Sequence, residues 1–146
     1  MKTPHRILAA AAILAAGAAF AHSDVENEAV KARMDLMSTI GMNMKTIGDM
    51  AKGERMFDAA AARSAAATIA EKAGMIAPAF EPEEDDPESE AKAEIWDNWP
   101  DFVEKAAALE AAAESAAARL DGAEALPVVM SNMGSACGGC HEAYKE

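Results

Sequence analysis

The stretch WPDFVEKAAALEAAAESAAARLDG, residues 99–122, decides the fold. Phe102, Ala106, Leu109, Ala113, Ala116 and Leu120 recur at alternating steps of four and three, which draws one apolar stripe along a 3.6-residue helix. A stripe with that rhythm is the seam of helices that cross at about 20°. Pro100 stands where a first-turn proline is tolerated, because its missing N–H would find no intrahelical partner there. Asp121-Gly122 supplies the stop. Most of the stripe is alanine, and each alanine removes little apolar area from water, so the helix needs close helical neighbours along its whole length.

Those neighbours are legible on both sides. A first helix is expected from Val25 to Ala51, capped by Ser23 or Asp24, with Val30, Met34 or Met37, Ile40 or Gly41, Met44, Ile47 and Met50 at helical spacing and Lys52-Gly53 at its end. A second, alanine-rich helix runs from Asp58, its cap, to Lys72. The pattern then breaks. Residues 79–94, AFEPEEDDPESEAKAE, hold two prolines and a block of acids, so residues 77–95 read as a solvated crossover or a short irregular excursion. After the helix of residues 99–122 a last one opens near Ala125, tolerates Pro127 in its first turn, and carries Met130, Met133, Cys137, Cys140, His141 and Tyr144. No β-branched alternating run occurs in the sequence. The expected fold is all-α, an antiparallel up-down-up-down four-helix bundle.

The N-terminus reads as an export signal. Lys2 and Arg6 precede an uncharged apolar run from Ile7 to Ala19, and Ala19-Phe20-Ala21 gives the small-x-small pattern before His22. Residues 1–21 are therefore expected to be removed, leaving a single domain of residues 22–146 in the periplasm, with no stable membrane insertion after cleavage. Without Lys2 and Arg6 there are 11 basic residues against 25 acidic ones, a formal charge of −14. Such a surface repels nucleic acid and anionic lipid and suits a basic redox partner.

The two cysteines, Cys137 and Cys140, stand in CGGCH at residues 137–141. C-x-x-C-H is the spacing of covalent haem attachment: the two sulfurs bond the porphyrin's edge, and His141 reaches the iron from the same helical face. A disulfide across two residues would restrain little chain entropy. A thiol redox centre belongs at a helix N-terminus, whereas about twelve helical residues precede this one. Structural zinc would need a fourth protein ligand. Haem also answers the packing deficit of the alanine-rich helices, since a large flat apolar group fills what their side chains cannot. For the opposite face of the iron, elimination among the methionines leaves Met34, Met37 and Met44 on the inner stripe of the first helix. Spacing alone does not choose between them. No Ser-His-acid arrangement is visible, and the expectation is a protein without enzymatic activity.

Three stretches together resemble the cytochrome c′ family, the class II c-type cytochromes: AVKARMDLMSTIGMNMKTIGDMAKGE at 29–54, EIWDNWPDF at 94–102 and MGSACGGCHEAYK at 133–145. The resemblance implies one covalent haem c per chain in an exported four-helix bundle. It implies Met37 as distal iron ligand and Arg33, four residues earlier, near a haem propionate. Methionine in this context resembles the low-spin, electron-carrying members; five-coordinate, high-spin members that bind diatomic gases such as NO or CO are the alternative. Family members commonly carry arginine where this chain has Lys145, a charge without the planar fork. Trp96 or Trp99 is expected near the haem edge or over the start of the helix that follows. A homodimer through the first two helices is also compatible with the resemblance.

Overall fold

The computed structural model describes residues 25–146; the expected export signal, His22, Ser23 and Asp24 lie outside them. Among the described residues the helices are α1 (Glu28–Ala51), α2 (Ala59–Ala73), α3 (Ile76–Phe80), α4 (Glu94–Asp97), α5 (Trp99–Arg119) and α6 (Leu126–Tyr144), the last preceded by a 3-10 turn at Ala123–Ala125. The four long helices are those expected, and α3 and α4 are short helices at the two ends of the crossover. Asn27 caps α1, its Oδ1 accepting from the N–H groups of Ala29 and Val30 at 2.9 and 3.1 Å, so that helix begins after the expected Val25. Asp58 caps α2 through the N–H of Ala61.

Every residue of the α5 stripe is buried, from Phe102 to Leu120. Its main partner is α2, which buries Ala62, Ala65, Ala66, Ile69, Ala70 and Ala73. Small side chains on both faces let the backbones come close and bring many atoms into dispersion contact. Helix α1 lies along α2, α5 along α6, and α6 closes on α1 with the thinnest of these contacts. The result is an antiparallel four-helix bundle. Because α1 packs on both α2 and α6, its buried face is wider than one stripe. Leu36, which the periodicity did not single out, is buried beside Val30, Ile40, Ile47 and Met50.

The α1–α6 contact is tapered. A Cβ built on buried Gly48 would sit 3.5 Å from Met130 Cε, so the two helices meet at that end. At the opposite end a cavity lies between them. The acidic crossover closes this open end rather than hanging in solvent. Its side chains are mostly exposed, but its backbone is tied to α1 and, through an antiparallel bridge between Ala91 and Lys145, to the end of α6. Composition anticipated the solvated side chains and not the bound backbone.

Candidate haem site

The cavity holds about 170 Å³ and opens to solvent. Helix α1 lines it with Val30, Arg33, Met34 and Met37; α6 and its end contribute Cys140, His141, Tyr144 and Lys145. Phe80, Ile95 and Phe102 supply further apolar surface, and Ser89, Glu90 and Ala91 of the crossover complete the wall. Phe102 anchors an aromatic cluster, with ring centroids 5.1 Å from Phe80, 5.6 Å from Trp99 and 5.4 Å from Tyr144.

Helix α6 brings Cys137, Cys140 and His141 to one side at i, i+3 and i+4. Cys140 and His141 are on the cavity wall; Cys137, one turn earlier, is half-buried against the core. Burial pushes both thiols above their usual pKa. A dithiol redox centre needs the reverse, a depressed thiolate pKa, so that reading has no physical support here. His141 is exposed as a residue, yet its ring stands partly against the wall, and this desolvation holds its pKa below the ordinary histidine value. Lys145 pushes in the same direction and Glu90 opposes it. A neutral imidazole is the form that ligates a metal. A Cβ built at Gly138 or Gly139 meets nothing within 4 Å, so no contact within the polypeptide demands glycine between the cysteines.

Of the three methionines left open by spacing, Met34 and Met37 line the cavity and Met44 does not. Met37 also packs against the hydrophobic core. Arg33 is on the wall too, only 3% exposed, but its guanidinium is turned to the crossover. Neither tryptophan lines the cavity. Trp99 stacks on Phe102 over the start of α5, and Trp96 donates from Nε1 to the Phe80 carbonyl at 2.8 Å. Sequence reading missed the contribution of Ser89, Glu90 and Ala91. Their placement depends on a bridge to Lys145 that leaves no periodic signal.

A family model described as Cytochrome C' matches residues 28–145, a span that includes α1, the crossover and the C-x-x-C-H helix. The chain belongs to the cytochrome c′ family. Among its relatives, cytochrome c-556 of Agrobacterium tumefaciens (strain apple 185) is 39% identical over 78% of this chain and 91% of its own. Cytochrome c-554 of Cereibacter sphaeroides is 34% identical over 80% of each. The structure of oxidized Rhodopseudomonas palustris cytochrome c556 superposes with a TM-score of 0.75 at 28% identity, covering 82% of this chain and 96% of that one. Covalent haem c is therefore the cofactor of this c-type cytochrome. The cavity's largely apolar walls, the imidazole of His141 and the two adjacent thiols fit that group. No helix among the described residues is long and apolar enough to cross a membrane.

Proposed function

We propose that this cytochrome is a periplasmic one-electron carrier whose haem would be tethered by Cys137 and Cys140, with His141 and Met37 as the residues that would hold its iron. The observation that carries the reading is that Met37 of α1 and His141 of α6 line one cavity from two different helices. When bound, the haem supplies a reversible ferric–ferrous couple. The chain's residues hold that couple in place. His141 offers an imidazole lone pair with little competition from protons, and Met37 offers an uncharged thioether, which favours the reduced state and raises the potential. Both belong to packed helices, so a change of charge calls for little movement of the protein. Val30, Phe80, Ile95 and Phe102 keep water from the centre of the site. Periplasmic location is supported by the N-terminal signal pattern, and absence of enzymatic activity by family membership. The acidic surface fits a basic redox protein as partner, whose electron-transfer rate should fall as ionic strength rises.

The test is the optical spectrum of the ferric protein together with one variant. A low-spin spectrum with a far-red sulfur-to-iron charge-transfer band is expected. Met37→Ala is expected to lose that band and bind carbon monoxide in the ferrous state while the haem stays covalently attached. A high-spin ferric spectrum in the unmodified protein would instead assign the five-coordinate, gas-binding function, with Met37 as an apolar shield.

A further inference from the structure

We propose that the acidic crossover is a brace latched to α1 by Arg33, and that this brace sets the position from which Met37 meets the haem. The inference rests on Met37 being an axial ligand. Arg33 and Met37 are one turn apart on the same face of α1. Arg33 donates from Nε to the Ala79 carbonyl at 2.9 Å, from Nη1 to that of Glu84 at 2.8 Å, and from Nη2 to that of Pro82. Its guanidinium also lies over the rings of Phe80, at 4.9 Å, and Trp96, at 5.4 Å. Three carbonyls converging on one planar fork are a geometry that lysine cannot reproduce.

A second tie reinforces the first. Asp86, 7% exposed, accepts from the N–H groups of Glu26 and Asn27 at 2.9 and 3.0 Å, and Asn27 Nδ2 donates to Glu84 Oε2 at 2.7 Å. The residue that caps α1 is thus itself bonded to the crossover. At the far end the N–H of Lys92 donates to the Tyr144 carbonyl at 3.0 Å, and that of Glu146 to the Glu90 carbonyl at 2.9 Å. The crossover therefore spans from the first turns of α1 to the last turn of α6, across the end of the bundle where those helices enclose the cavity. Arg33 is a positioning residue on this account. Its guanidinium acts through the backbone that holds α1, whereas the family resemblance would have it act through its charge on a propionate.

The two roles separate in the holoprotein. Asp86 lies outside the cavity wall, so Asp86→Ala loosens the brace without touching the site, and it remains informative if Arg33→Met fails to fold. Glu83→Ala, on the exposed side of the same segment, removes an equal charge and serves as control. Asp86→Ala, Arg33→Met and Arg33→Lys are expected to speed amide exchange in residues 84–91, weaken the sulfur-to-iron band and raise ferrous carbon monoxide affinity about tenfold, the low end of outer-shell effects on metal sites. Glu83→Ala should change none of these. Faster exchange in Asp86→Ala with band and affinity unchanged overturns the brace, as does unchanged exchange in both Asp86→Ala and Arg33→Met. If Met37→Ala keeps the band, the ligand reading fails and the brace's role falls with it. If Met37→Ala loses the band while Asp86→Ala keeps it, the brace alone is overturned.

Discussion

Tyr144 is the only tyrosine in the chain and sits three residues beyond His141. Its hydroxyl donates to Asp101 Oδ2 and accepts from Asn98 Nδ2 at 3.1 Å, joining the end of α6 to the start of α5. The hydrogen bond to Asp101, with burial and the carboxylate's charge, pushes its pKa from 10.0 up to about 12. A phenol that folding keeps protonated contributes stability fully present below pH 10, and that contribution is lost as pH rises through about 12. Ultraviolet difference titration should place the tyrosinate midpoint near 12, and Asp101→Asn should return it toward 10. A midpoint near 10 in the unmodified protein would show that the bond to Asp101 does not persist in solution. Tyr144 was legible as a position on the helical stripe, but its hydrogen-bond partner was not. Asp101 is 43 residues away, and only the packing of α5 on α6 brings them together.

Among the elements, the taper between α1 and α6 turns on Gly48. Glycine in a helix interior costs about 1 kcal/mol relative to alanine, and the 3.5 Å to Met130 Cε is ordinary van der Waals distance. Gly48→Ala should therefore stabilise the fold by about 0.5–1 kcal/mol in denaturant unfolding. Gly48→Leu should destabilise it by roughly 1–3 kcal/mol, since it must displace Met130. If alanine costs as much as leucine, the helices approach more closely than this geometry allows. Element existence was legible wherever periodicity was strong. The α5 stripe is buried residue for residue because steps of four and three are a direct imprint of one packed face. The crossover was legible only by its side chains. Charge runs report on solvation, and nothing in AFEPEEDDPESEAKAE says that its carbonyls answer an arginine on α1.

At the scale of the molecule, two kinds of core meet. The α2–α5 seam buries Ile69, Phe102, Leu109 and Leu120 among alanines along its length, whereas α1 and α6 part around a cavity at one end. The C-x-x-C-H motif made the cofactor legible; the expected packing deficit of the alanine-rich helices did not locate it, since α2 lends no residue to the cavity wall and α5 lends Phe102. What the sequence could not convey was that the α2–α5 seam packs closely on its own, because alanine runs show small volume without showing how closely two backbones approach. This division predicts the behaviour of the chain when haem cannot attach. In Cys137→Ser/Cys140→Ser, amides of α2 and α5 should keep most of their exchange protection. Those of the first half of α1, the crossover and the last turns of α6 should lose at least about tenfold, roughly 1.4 kcal/mol of local stability. Loss of protection spread evenly over all four long helices would mean instead that the seam depends on haem, and that the bundle folds only as one unit around it.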